Sequence, residues 1–276
     1  MKYYLETNAL RALGNKIHEN QNIISKSFTS IFAIFEIIKG INFSKDSKKR
    51  INIIKNLVNS NIKIIGFMPI EVIENIFLTQ VDISESNNII QELKKIISNP
   101  SEYKGTDEYL KLIRRYENGT NIFKKKITQN YCIPKPETET IEITFDDLFS
   151  EPEIPSELSE KIAKLPKNTH PSEILLLMIR DKYIISLYKM LNISDSIDKD
   201  DILKIYNREL DLFFFALYMF DLKKKSLREA PAKNDFLDLL HIVYLNNTEM
   251  IIVSNDKIFK TILPNKNVIS VEEYLT

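Results

Sequence analysis

Residues 2–10 read Lys2-Tyr3-Tyr4-Leu5-Glu6-Thr7-Asn8-Ala9-Leu10. The aromatic and aliphatic run favours a short strand, which stops at Glu6-Thr7-Asn8. Asn8 reads as a helix N-cap, and Leu10, Leu13 and Ile17 continue at helical spacing. A strand that runs straight into a helix opens an α/β unit. The same rhythm returns at the other end of the chain. There Asp235 to Asn246 predicts a helix, Met250 to Val253 a short apolar strand, Asp256 to Ile262 another helix, and Val268 to Val271 an edge strand.

Working inward, Ser30 can cap a helix carrying Ile31, Ile34, Phe35 and Ile38, with Gly40 near its end and Glu36 inside the apolar stretch. Ser47 to Asn59 is amphipathic, Asn61 to Phe67 predicts a second strand, and Ile70 to Leu78 a helix. The character changes over residues 81–233. Helical patterns at Asn87–Ile97 and Glu108–Tyr116 precede an acidic stretch, Pro134 to Glu160, with four prolines and nine acids against the single base Lys135. That composition predicts an exposed loop or partly disordered linker. Pro171 to Leu191 and Asp200 to Leu222 are apolar on several sides, as helices buried in a bundle are. The expectation is therefore an α/β domain formed by residues 1–80 and 234–276, enclosing a mostly helical insertion at 81–233.

Composition narrows the function classes. With 43% hydrophobic residues the 276-residue chain can build a sizeable core, and a wholly disordered chain is excluded. Lys+Arg and Asp+Glu both count 38, so any contact with nucleic acid must come from a local patch. A single cysteine, Cys132, excludes an internal disulfide framework and a cysteine-based metal cluster. The most apolar window, Leu210 to Leu222, contains Asp211 and Asp221 and falls short of the roughly 20 apolar residues of a membrane helix. A soluble, cytoplasmic protein without a signal peptide or membrane contact is expected.

Candidate chemistry rests on carboxylates. Glu6 follows the first strand and Asp256 follows Ile251-Ile252-Val253 after Ser254-Asn255. Carboxyl ends of parallel strands are where open α/β sheets build their sites. Glu36 lies in an apolar helix, where an unpaired charge is costly to bury. Asp235 and Asp238 occupy the first turn of a helix. Each acid alone also reads as a cap or a solvated end. Together they repel one another and suit a divalent cation, with oxygen ligands pointing to Mg²⁺ or Mn²⁺.

These segments resemble the motifs of PIN-domain nucleases. Tyr3-Tyr4-Leu5-Glu6-Thr7-Asn8-Ala9-Leu10 resembles their opening strand and turn, and Ser30-Ile31-Phe32-Ala33-Ile34-Phe35-Glu36 with Gly40 resembles the helix that delivers a glutamate. Asp235-Phe236-Leu237-Asp238-Leu239-Leu240-His241 resembles the third motif, and Ser254-Asn255-Asp256-Lys257-Ile258-Phe259 the fourth. The 18 positions from Asp238 to Asp256 fit one helix plus one strand, which places Asp238 ahead of Asp235 as the third ligand. The resemblance covers residues 1–80 and 234–276. It implies a three-layer α/β/α sandwich with a central, mostly parallel sheet. It also implies metal-dependent hydrolysis of RNA, with Glu6, Glu36, Asp238 and Asp256 as catalytic ligands of Mg²⁺ or Mn²⁺. Asp235 is a further candidate ligand, and Thr7, Asn8, Ser254 and Asn255 would support the others by hydrogen bonds. His241, one turn after Asp238, would line the site or pack. Many such nucleases are toxins restrained by a small antitoxin-like protein partner, and a homodimer is a further expectation for this chain. Two departures stand out: the large insertion, and Glu6 where aspartate is usual, which moves the carboxylate by about 1.5 Å. The same residues also suit a PIN-like scaffold that binds RNA or a protein partner without cutting.

RNA would need positive charge near the acids. Lys223, Lys224, Lys225, Arg228 and Lys233 precede Asp235 and are the expected phosphate contacts. A second group, Arg114, Arg115, Lys124, Lys125 and Lys126, is interleaved with Tyr116 and Phe123, whose rings could stack on bases or belong to an ordinary solvated surface.

Overall fold

Five short strands, β1 (Tyr3–Leu5), β2 (Ser27–Ser30), β3 (Lys63–Ile65), β4 (Ile251–Val253) and β5 (Val268–Ile269), form one parallel sheet in the order β3-β2-β1-β4-β5. The computed structural model describes residues 2–41, 46–77, 80–131, 206–246 and 249–276, with 164, 179–180 and 183–184. The Pro134–Glu160 stretch, Cys132 and most of Pro171–Leu191 lie outside the described residues. Tyr4 pairs with Phe28 on one side and Ile252 on the other, so β1 is the centre of the sheet. All four residues of β2 and all three of β4 are buried. Successive strand residues face opposite sides, so both faces of the sheet are covered, as parallel sheets require.

β2 was not expected as a strand. Ser27-Phe28-Thr29-Ser30 lacks an apolar run, yet its polar side chains are satisfied internally. Thr29 Oγ1 donates to the Leu5 carbonyl at 2.7 Å, and the Ser27 and Tyr274 hydroxyls share a hydrogen bond. Buried polar groups paired in this way cost little, so the segment can be a buried strand without a hydrophobic signature.

Helices α1 (Thr7–Leu13), α2 (Lys16–Glu19) and α3 (Gln21–Ile24) join β1 to β2, and α4 (Ile31–Lys39) and α5 (Ser47–Val58) lead to β3. Ser30 caps α4 as expected, accepting from the Ala33 amide at 3.2 Å. The cap of α1 is Glu6 and not Asn8. Its carboxylate accepts from the Asn8 and Ala9 amides, because the chain turns into the helix directly after Leu5.

After β3 come α6 (Pro69–Phe77), α7 (Ser84–Ser98) and α8 (Asp107–Tyr131), then α9 (Asp211–Leu227) and α10 (Asp235–His241), which a 3₁₀ turn at Ile242–Tyr244 extends towards β4. α11 (Lys257–Ile262) and α12 (Val271–Leu275) flank β5. α8 continues well past Tyr116, and at Gly119 it runs so close to α10 that a Cβ would lie 3.3 Å from the Phe236 ring. α7 packs on α4 and α8 on α10, so these helices share one apolar core with the sheet. Asp211, which interrupts the most apolar window, is buried because Arg180 clamps both its oxygens at 2.9 and 2.6 Å. Among the described residues no helix is long and apolar enough to cross a membrane.

The central strands carry the fold. Ile252 is fully buried beside Tyr4, so Ile252→Ala should cost about 2–5 kcal/mol. Val58, 43% exposed at the end of α5, should change stability by no more than about 0.5 kcal/mol on conversion to alanine. Urea unfolding of the two variants measures both.

Candidate active site

The strand order reverses at β1. The chain moves from β1 to β2 and β3 on one side, then crosses to β4 and β5 on the other. Such a switch point leaves a crevice at the carboxyl ends of the strands. Glu6 leaves β1 there, and Asp256 follows β4 after Ser254 and Asn255.

A pocket of about 700 Å³ opens at this end, and Glu6, Glu36 and Asp238 line it with Thr7 and Asn8. Glu6 is almost wholly buried, its two oxygens accepting from Asn8 N at 2.5 Å and Ala9 N at 2.9 Å. Glu36 Oε2 accepts from the Thr7 hydroxyl and, at 2.7 Å, from His241 Nε2. Asp238 is half-buried, and among the described residues no side chain or amide donates to its carboxylate. Asp256 caps α11, accepting from Ile258 N at 3.2 Å; it stands outside the pocket lining, yet its charge acts directly on Asp238. Ser254 accepts from Asp256 N, and Asn255 accepts from Val271 N at the start of α12, so both brace the turn that presents Asp256. Asp235 is outside the pocket lining and has partners of its own: it binds Lys224 at 3.1 Å and the Ala232 amide at 2.8 Å.

The carboxylates share one electrostatic environment. Burial, then the charges of Asp256, Glu36, Glu6 and Asp235, push the Asp238 carboxyl up to about 9. Burial also raises Glu6, against the influence of His241 and its hydrogen bonds. Burial would raise Glu36 too, but His241, Thr7 and Lys39 outweigh it and hold that carboxyl below its ordinary value. One acid is thus kept ionised by its donors while another is left without any. Among the described residues no three such side chains stand as a finished ligand set around one point. Glu6 is drawn onto the α1 amides and Glu36 onto Thr7 and His241, which leaves Asp238 as the carboxylate in need of a counter-charge. The carboxylates of Glu6, Glu36 and Asp238 are an all-oxygen donor set, the type that hard divalent cations take.

The cations of the pocket come from an unexpected direction. Arg11, Lys39, Arg50, Arg114 and Lys233 line it. Of the expected phosphate contacts only Lys233 is among them. Lys224 is spent on Asp235 and lies over the Phe220 ring, while Lys223 donates to Thr261. Arg115 pairs with Glu85, Tyr116 is buried, and Phe123 packs on Phe220 and Phe236, so these two rings belong to the core and do not form a stacking surface. Arg11, Lys39 and Arg50 escaped the sequence reading because they lie on three separate helices, Arg50 at the end of the run Lys48-Lys49-Arg50. Arg11 left a trace, being three residues after Asn8 on the same helical face. Arg50 depends on Gly40: its Nη1 donates to the Glu36 and Ile37 carbonyls at 3.2 Å, and a Cβ on Gly40 would meet its Cζ at 2.0 Å.

Asp238 makes a linkage prediction. An acid pushed up by the fold ionises more readily in the unfolded chain, so its presence costs stability as pH climbs from about 4 towards 9. In metal-free protein, Asp238→Asn should therefore raise the Tm at pH 8 and raise it much less at pH 5. Equal gains at the two pH values would contradict the electrostatic account. No family model matches the chain, and no curated protein or solved structure does so either.

Proposed function

We propose that this pocket is the active centre of a Mg²⁺- or Mn²⁺-dependent ribonuclease of PIN-like architecture, with Glu6, Glu36, Asp238 and Asp256 as the metal-holding acids. The observation that carries the reading is the state of Asp238, which shares a pocket with the carboxylates of Glu6 and Glu36, feels the charge of Asp256 as well, and has no donor of its own among the described residues. A fold that keeps such a group fits a site whose counter-charge arrives from outside. When bound, a divalent ion would supply Lewis-acid activation of water and offset charge on the phosphate.

The remaining tasks fall to the chain itself. Thr7 and His241 hold the Glu36 carboxylate, and the α1 amides hold Glu6. Arg11, Arg114 and Lys233 reach the same pocket and suit the non-bridging oxygens of a phosphodiester. In hydrolysis the water oxygen forms a new bond to phosphorus while the bond to the leaving ribose oxygen breaks, and that oxygen takes up a proton. Acids alone would repel a polyanion, so cations across the pocket are what allow such a substrate to approach. The preference for RNA follows from the PIN resemblance.

One observation favours a second reading, a PIN-like scaffold that binds without cutting. Both Glu6 oxygens already accept hydrogen bonds as the cap of α1, so this longer acid serves the fold whether or not it meets a metal.

Cleavage of structured and single-stranded RNAs in Mn²⁺ distinguishes the two. The wild type should cut, Asp256→Asn should fall to background, and Glu6→Asp should cut at least as fast as the wild type. A silent wild type beside an active Glu6→Asp would establish the scaffold reading. Arg114→Ala should raise KM about tenfold, the loss of one charge-assisted contact, whereas Lys223→Ala should leave it within about twofold. The reverse order would move the substrate path to α9.

A further inference from the structure

His241 is buried to 1% exposure, and both of its ring nitrogens are engaged. Nε2 lies 2.7 Å from Glu36 Oε2, and Nδ1 lies 2.7 Å from the Tyr4 hydroxyl. Tyr4, itself fully buried in the central strand, is 2.8 Å from the Ser30 hydroxyl at the end of β2. An ionised carboxylate only accepts, so Nε2 must carry the hydrogen that points at Glu36, whatever the charge on the ring. In the neutral ring Nδ1 then accepts from Tyr4, which accepts in turn from Ser30; in the charged ring the Tyr4 and Ser30 hydroxyls rotate instead. Either way every member of the chain is satisfied. The imidazole is further wedged by rings, with its centroid 4.9 Å from Phe32 and 5.8 Å from Tyr4.

Position makes this network more than packing. Asp238 and His241 are three residues apart on α10, hence on one helical face. Glu36 comes from α4 and lines the same pocket, 205 positions earlier in the chain. The helix that supplies one carboxylate therefore also supplies the donor that holds the other.

We infer that His241 is a positioning residue: through Nε2–H it fixes one oxygen of Glu36 and leaves the other available as a ligand, tying the two acids into one preformed site. The inference rests on the metal reading of the pocket. It assigns the histidine no proton transfer and no contact with substrate. Outer-sphere donors of this kind typically change metal affinity 10–100-fold when removed.

The test is Mn²⁺ affinity of the full chain, followed by calorimetry and by the loss of the free-ion EPR signal. His241→Leu should weaken binding 10–100-fold while far-UV circular dichroism stays native. His241→Gln, whose amide can still donate to Glu36, should recover most of the affinity. The decisive readout is the double variant. In a Glu36→Gln background, His241→Leu should have no further effect, because the group it positions is no longer a ligand; a purely structural histidine would weaken binding equally in both backgrounds. Wild-type binding that His241→Leu leaves unchanged, or an equal loss in both backgrounds, overturns the inference and spares the metal site. Absence of Mn²⁺ binding by the wild type overturns the metal reading and the inference with it.

Discussion

The pocket depends on β1 lying parallel between β2 and β4. That register, Tyr4 against Phe28 and Ile252, sends the carboxyl ends of three strands to one edge of the sheet. Glu6, the Ser30 cap of α4 and the Ser254–Asp256 turn all emerge there. A parallel sheet covered on both faces leaves its strand ends as the natural place for a polar site. Here those ends gather acids faster than the protein supplies donors for them.

The imbalance is distributed unevenly. Glu36 has a hydroxyl and an imidazole, Glu6 has two amides, Asp235 has Lys224, and Asp256 caps a helix. Asp238 is left with like charges around it. A protein selected for stability alone would substitute an amide at such a position, since an acid set among like charges costs stability as it ionises. Keeping the acid makes sense where a cation completes the arrangement. Arg114 and Lys233 share the pocket without pairing to that acid, and Arg11 reaches it while paired with Asp46 at 4.0 Å.

Much of this could be read from local patterns. The strand at Tyr3–Leu5, the acid-bearing helix after Ser30 and the apolar strand before Asp256 are marked by runs and caps within a few residues. The α/β alternation at the two ends of the chain was visible for the same reason. β2 was not, because Ser-Phe-Thr-Ser becomes strand-like only when the Leu5 carbonyl and Tyr274 satisfy its hydroxyls. Helical spacing put His241 near Asp238, but its partners Glu36 and Tyr4 are over 200 positions away. The cations were only partly visible for a related reason. A run of lysines draws attention in a sequence, whereas Arg11 and Arg50 join Arg114 and Lys233 only through the packing of α1, α5 and α8. Local charge density is legible in one dimension; a charge constellation is not.

The central claim is that the pocket acids hold a divalent cation. Anomalous diffraction from crystals soaked in Mn²⁺ tests it most directly. A single dominant peak against the carboxylates of Glu36 and Asp238, lost in crystals of Asp238→Asn, is the predicted result. A pocket without a peak while Mn²⁺ binds elsewhere on the surface would contradict it.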